Sequence, residues 1–278
     1  MAGLSSNFVD TCGYRTHFIE ARPVRPLGQP LLLVHGGGAG ADARGNWEQL
    51  ALPLLATSRR VIAFDLVGFG HSDAPDPERF DYGPESRVDQ MIAFIEALDI
   101  GPVDIVGNSM GGRTTLATAI RRPDLVGDIV LMGSAGVDRS MGGALAALTG
   151  YDFTHAGMER IVAALTNDGF IADPAMIQYR LDLSLRTAHA KAFGATMKAL
   201  KERGGLWIED AQIASVEHRT LVLNGKDDKV VPVEHAIKFL RLLPNSTGVI
   251  LPHCGHWAMI EHPHKFANIV TAFLDQKF

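Results

Sequence analysis

Gly107-Asn108-Ser109-Met110-Gly111 lies between an apolar run, Val103–Val106, and a helical pattern, Met110–Arg122, and this placement governs the reading of the rest of the chain. A G-x-S-x-G stretch between a strand and a helix is a sharp turn that carries a nucleophile. Glycines at 107 and 111 remove side chains the turn has no room for, and the turn pushes Ser109 Oγ out over the sheet edge. The Met110 N–H then sits at a helix N-terminus, where partial positive charge stabilises an oxyanion. The competing reading is a glycine-rich β–α corner whose serine merely caps the helix, and the context must separate the two.

Outward from this turn, short β-branched runs alternate with longer helical patterns. Leu31–Val34, Val61–Phe64, Val103–Val106, Ile129–Met132 and Leu221–Leu223 read as buried strands, each closed by Gly, Asp or His. Gly248–Leu251 is a weaker strand, and the alternating run Arg15–Glu20 reads as an outer one. Helical patterns fall at Trp47–Ala56, Ser86–Leu98, Met110–Arg122, Val233–Leu243 and Pro263–Phe273. Such alternation predicts an α/β fold with a mostly parallel sheet flanked by helices. Between about Gly136 and Leu206 the strands stop, and Met141–Thr149, Ala156–Asn167, Pro174–Leu185 and Thr187–Arg203 all read as helices. The expected organisation is a core in two parts, 1–135 and 207–278, with a helical cap, 136–206, inserted between them. A cap over the carboxyl ends of parallel strands encloses the edge where ligands bind.

Composition narrows the function classes. The 278 residues carry 26 Lys plus Arg against 31 Asp plus Glu, a formal net charge of −5, which argues against a nucleic-acid or anionic-membrane binder. Two cysteines, Cys12 and Cys254, are too few for a disulfide scaffold. No apolar run approaches ~20 residues, and MAGLSSNFVD lacks the pattern of a signal peptide, so a cytoplasmic protein with no membrane partner is expected.

A serine needs an oriented base. Downstream, the strand Leu221–Leu223 runs into Asn224-Gly225-Lys226-Asp227-Asp228, and Pro252-His253-Cys254-Gly255-His256-Trp257 precedes the final helix. The order Ser, Asp, His, each just beyond a strand, is that of the α/β-hydrolases rather than of other serine hydrolases. The G-x-x-D spacing with a proline four residues on selects Asp228 over Asp227, leaving Asp227 to face solvent or cap the turn. His253, His262 and His264 match no common zinc pattern, so no metal is expected. After the strand Leu31–Val34 comes His35-Gly36-Gly37-Gly38, an HGGG motif that supplies a second oxyanion N–H in this fold class. His35 itself reads as structural. Neither a P-loop nor a dinucleotide fingerprint is present in that loop.

The whole chain resembles the α/β-hydrolase superfamily. Within it the chain looks like the meta-cleavage product hydrolases, which cut a carbon–carbon bond in ring-opened aromatic compounds. HGGGAGADARGNW, DLVGFGHSD, GNSMGG, GKDDKVVP and HCGHWAMIEHP carry this resemblance, and YDFTHAGMERIVAALTNDGF looks like the branch acting on carbazole-derived ring-fission products. The resemblance implies a triad of Ser109, Asp228 and His256, with oxyanion N–H groups from Gly37 and Met110. It also implies that Asn46, Asn108, Arg180 and Trp257 bind the dienoate, with Arg186 a rival to Arg180.

Residue chemistry agrees, since a carboxylate substrate calls for a cation and arginine is a planar, always-charged partner. The competing reading of Arg180 is an exposed cap arginine paired with Asp182 or another surface acid. Trp257 could instead simply pack the last helix. No cofactor is required by the implied reaction, and the family's habit implies a homodimer or higher homo-oligomer. A carboxylesterase or lactonase shares the triad, and a small-molecule receptor of the same fold is the non-catalytic alternative.

Overall fold

The computed structural model describes residues 3–48, 51–139 and 142–277. An N-terminal hairpin opens the sheet, with β1 (Ser5–Thr11) and β2 (Tyr14–Ala21) paired antiparallel through Cys12 and Gly13. Both turn residues have positive φ, the geometry that matches the twist of two hairpin strands. The expected outer strand is β2, one residue longer at each end. β1 was not expected, because SSNFVDT is mostly exposed and carries no apolar run.

Six further strands follow: β3 (Leu31–Val34), β4 (Val61–Phe64), β5 (Val103–Asn108), β6 (Val126–Met132), β7 (Thr220–Gly225) and β8 (Ser246–Leu251). Four of them extend beyond their apolar runs, because ladder pairing continues through polar and glycine residues that hydropathy does not register. The order across the sheet is β1-β2-β4-β3-β5-β6-β7-β8, antiparallel at β1/β2 and β2/β4 and parallel elsewhere. From β3 the chain goes first to β4 on one side and then to β5 on the other. This reversal opens a crevice at the carboxyl ends of β3 and β5, the position where such sheets bind ligands.

The helices are α1 (Ala51–Leu55), α2 (Pro84–Ala97), α3 (Met110–Arg121), α4 (Leu145–Thr149), α5 (His155–Leu165), α6 (Pro174–Ser184), α7 (Thr187–Glu202), α8 (Asp210–Ala214), α9 (Val233–Leu242), α10 (Ala258–Glu261) and α11 (Pro263–Leu274). The short α8 and α10 have no amphipathic period to announce them. In place of a continuous helix over Trp47–Ala56, the chain makes a π-helical turn at Arg44–Glu48 and then α1; Gln49 and Leu50 of that stretch lie outside the described residues. The helix expected from Met141 begins at Leu145, with Met141 itself outside the described residues. Gly142 and Gly143 delay it: the Gly142 N–H donates to Val230 O at 2.8 Å, and a methyl on Gly142 would lie 2.0 Å from Lys229 O.

Between β6 and β7 the described residues form helices α4 to α8 and no strand. In α5 the buried Met158, Ile161, Val162 and Leu165 repeat at helical spacing, giving one core-facing stripe. In α6 the equivalent stripe is Ile177, Arg180, Leu181 and Ser184, so an arginine occupies an inward position. No helix among the described residues is long and apolar enough to cross a membrane.

Candidate active site

The elbow is built by close packing. β5 ends at Asn108, α3 begins at Met110, and Ser109 between them has φ 56° and ψ −118°, a conformation that L-residues rarely adopt. The glycines are obligatory here: a methyl on Gly107 would lie 2.6 Å from Gly112 Cα, and one on Gly111 2.5 Å from Val34 O. The Ser109 N–H donates to Met132 O at 3.1 Å, and its carbonyl accepts from Ala135 N–H at 3.1 Å, pinning the elbow to the end of β6.

The HGGG loop closes on this turn, since a methyl on Gly36 would lie 3.1 Å from Ser109 Cβ. His35 holds that loop. Its Nε2 accepts the Leu66 N–H at 3.0 Å, so Nδ1 carries the proton and donates to Gly36 O at 2.7 Å. Burial lowers the His35 pKa, which keeps the ring neutral. Gly37, Ser109 and Met110 together line a cavity of about 760 Å³ whose other walls include Leu145, Leu148, Met197 and Val230.

His256 and Asp228 are both buried, and His256 Nδ1 lies 2.7 Å from Asp228 Oδ2. Asp228 Oδ1 accepts the Val230 and Val231 N–H groups at 2.9 and 2.8 Å. A carboxylate surrounded by donors is an acceptor only. Nδ1 of His256 therefore carries the proton, and Nε2 keeps its lone pair. Asn108 Nδ2 donates to His256 O at 3.5 Å, and a methyl on Gly133, one residue beyond the Ser109 partner Met132, would lie 2.9 Å from His256 Nδ1. These contacts bring Ser109, His256 and Asp228 into one neighbourhood. Asp227 points elsewhere: it is exposed and accepts from Asn167 Nδ2 at 2.9 Å.

A second group surrounds Arg180. The side chain is buried, its Nη2 donates to Asn46 Oδ1 at 3.0 Å and Gly45 O at 3.3 Å, and the guanidinium lies 4.3 Å over the Trp257 ring, the residue after His256. No carboxylate among the described residues forms an ion pair with it, and its Nε–H has no partner. Burial lowers its pKa to about 10, so it stays charged at neutral pH. The surface pairing with Asp182 is overturned, because Asp182 is exposed and accepts from Gln178 Nε2 at 2.7 Å. Arg186 is exposed and donates to Gly70 O at 3.1 Å, with no hydrogen bond to Asn46 or Gly45 of the kind Arg180 makes. Asn108 splits its functions: Nδ2 also donates to Met132 O at 3.0 Å, while the buried Oδ1 has no partner.

Asp42 and Tyr179 belong to this group; Asp42 lies inside HGGGAGADARGNW and Tyr179 inside the helical pattern Pro174–Leu185, but nothing local pairs one with the other. Asp42 is buried and accepts the Tyr179 hydroxyl at 2.5 Å and the Gly45 N–H at 2.6 Å. Burial, then the nearby Asp65 charge, raise its pKa to about 6. A carboxyl raised on folding stabilises the protein while it is protonated, and that contribution fades as pH climbs from the ordinary carboxylate value toward 6. Asp42→Asn is therefore expected to gain Tm relative to the parent at pH 7.5 and to lose most of that gain at pH 4.5. The Tyr179 hydroxyl can turn to accept from the new amide. A Tm difference that does not vary with pH would show that Asp42 ionises freely.

A family profile described as alpha/beta hydrolase fold matches residues 29–263. Over 271 residues the chain is 48% identical to the 2-hydroxy-6-oxo-6-(2'-aminophenyl)hexa-2,4-dienoic acid hydrolase of Metapseudomonas resinovorans, covering 97% of this chain and 91% of that one. It is 37% identical to the 2-hydroxymuconate semialdehyde hydrolase of Pseudomonas sp. (strain CF600), covering 89% of this chain and 87% of that one. Among solved structures, a serine hydrolase involved in carbazole degradation, the CarC enzyme, superposes with a TM-score of 0.88 at 46% identity, covering 99% of this chain and all of that one. With a nucleophile elbow, an oriented imidazole and relatives of this kind along nearly its whole length, the chain belongs to the α/β-hydrolase family, in the company of the meta-cleavage product hydrolases.

Proposed function

We propose that this protein hydrolyses the C5–C6 bond of a 2-hydroxy-6-oxohexa-2,4-dienoate, releasing 2-hydroxypenta-2,4-dienoate and a carboxylic acid. Ser109, His256 and Asp228 form the triad, and the Gly37 and Met110 N–H groups form the oxyanion hole. Arg180, Asn46, Asn108 and Trp257 hold the dienoate, and residues 136–206 act as the cap that delivers Arg180. The observation that carries the reading is Arg180, a buried cation on an inward helical stripe with no ion-pair partner. The Asp42 charge acts on it only through space, and a buried cation without a direct ion pair still carries much of its desolvation cost. A substrate carboxylate is the partner that offsets this cost, and a neutral ester offers nothing there.

The dienol is first converted to the keto form, with His256 carrying the proton to C5. Ser109 Oγ then attacks the C6 carbonyl, giving its proton to His256 Nε2, and Asp228 stabilises the imidazolium. Gly37 and Met110 hold the resulting oxyanion. C5–C6 breaks with its electron pair leaving on the dienoate fragment, whose charge spreads into the conjugated carbonyl held at Arg180. The fragment takes the proton from the His256 imidazolium and leaves as 2-hydroxypenta-2,4-dienoate, so that Nε2 is again a base. Water, deprotonated by His256, then hydrolyses the acyl–Ser109 ester. The apolar cavity walls at Leu145, Leu148 and Met197 receive the acyl group.

Ring-fission dienolates absorb in the visible, so turnover is read as bleaching. The purified protein is expected to bleach the carbazole-derived and biphenyl-derived compounds much faster than it cleaves a neutral aryl ester. Good ester hydrolysis without bleaching would instead mark a carboxylesterase.

A further inference from the structure

A second serine, histidine and aspartate stand in series, Ser6 and His17 on the N-terminal hairpin and Asp65 just past β4. In the β1/β2 register Phe8 faces His17, which makes Ser6 the diagonal neighbour of His17 on the same sheet face. Ser6 Oγ is 2.8 Å from His17 Nε2, and His17 Nδ1 is 2.8 Å from Asp65 Oδ2. His17 and Asp65 side chains are 3% and 0% exposed, whereas Ser6 is open to solvent.

The proton positions follow from the partners of Asp65. Its Oδ1 accepts the Ala43 N–H at 2.6 Å, and its Oδ2 also accepts the His71 N–H at 2.7 Å. Burial alone would raise this carboxyl, but the His17 hydrogen bond and neighbouring charge more than offset it and hold the pKa below the ordinary value. Asp65 is thus an acceptor on every side. His17 Nδ1 must carry the proton, Nε2 must accept, and the Ser6 hydroxyl must donate. Asp228 and His256 are wired the same way, down to the two backbone N–H groups on the carboxylate.

We propose that Ser6 is a second nucleophilic serine, modified by small activated acyl and phosphyl donors through the His17–Asp65 relay. Ser6 Oγ forms the bond to the acyl carbon or phosphorus, the aryloxide or fluoride departs with its bonding pair, and the Ser6 proton passes to His17 Nε2. Phe8 and His71, each with its ring centroid 5.1 Å from that of His17, flank the imidazole. Ser6 lies within an edge strand rather than at a helix N-terminus and so lacks the oxyanion donor of the elbow. Its reaction is therefore slower than that of Ser109 by about 10²–10³-fold, the value of one such donor.

The test uses the full chain carrying Ser109→Ala, treated with a fluorophosphonate and followed by intact mass and peptide mapping. The expected result is one adduct, on Ser6, absent when Ser6→Ala is added and strongly slowed by His17→Gln. Ser6 is exposed, so its replacement leaves the fold and the dienoate turnover of the Ser109 enzyme unchanged. Three results would each overturn the proposal: no adduct on Ser109→Ala, an adduct elsewhere, or equal labelling of Ser6 in urea-unfolded chain. None of them depends on the dienoate reading, because Ser109→Ala removes that nucleophile and no dienoate is added.

Discussion

Ser109→Ala is expected to lower kcat on the ring-fission dienolate by about 10³-fold or more while leaving dienoate binding near that of the parent. The nucleophile is lost, and water must attack C6 without a covalent intermediate. The binding groups remain: Arg180 still lies over Trp257 and on Asn46, and none of these contacts passes through Ser109 Oγ. A persistent shift of the dienolate absorbance on mixing, without bleaching, would report a bound and unreacted substrate. Ser6 does not rescue the variant, since it lies on β1, away from the Arg180 group. Near-normal turnover by Ser109→Ala would sink the nucleophile assignment.

Arg180→Ala carries the second large effect. Removing one member of a buried charged contact costs about 2–5 kcal/mol, so kcat/KM for the dienoate is expected to fall by about 10²–10³-fold. Hydrolysis of a neutral aryl ester should change only a few-fold, because Ser109, His256 and Asp228 keep their contacts. Arg180→Lys should recover little. An ammonium lacks the planar fork that donates to Asn46 while facing a carboxylate, and it does not stack as well on Trp257. Equal losses on ester and dienoate would mean that Arg180 merely fastens α6 to the core. Thermal melting of each variant separates the two cases, since a fastener would also lower Tm.

Much of this site is legible in the chain because its parts are local. An elbow needs Gly107 and Gly111 within two residues of Ser109, and the oxyanion loop needs its glycines directly after a strand. Those are contiguous motifs, and a contiguous motif survives without coordinates. Asp42 and Tyr179 are the opposite case. They are 137 residues apart, and only the packing of α6 against the turn at Gly45 makes them partners. β1 was missed for a related reason, its polar exposed residues being ordered by pairing with β2 rather than by any apolar run of its own.

The sequence by itself determined the alternation of strands and helices, the helical insert and the order of the elbow serine, the aspartate and the histidine, each just beyond a strand. Side-chain periodicity and turn chemistry act within a few residues, and the chain order of a motif is unchanged by folding. Turn spacing already selects Asp228, and tertiary structure supplies the reason; tertiary structure alone decided which arginine is buried and that a second serine leans on His17. Each of these depends on burial and on distances between residues far apart in the chain. Asp227 and Asp228 are chemically the same residue at adjacent positions. A turn of the backbone puts one in solvent and the other under two amide N–H groups, and that difference of environment makes only Asp228 a partner for His256.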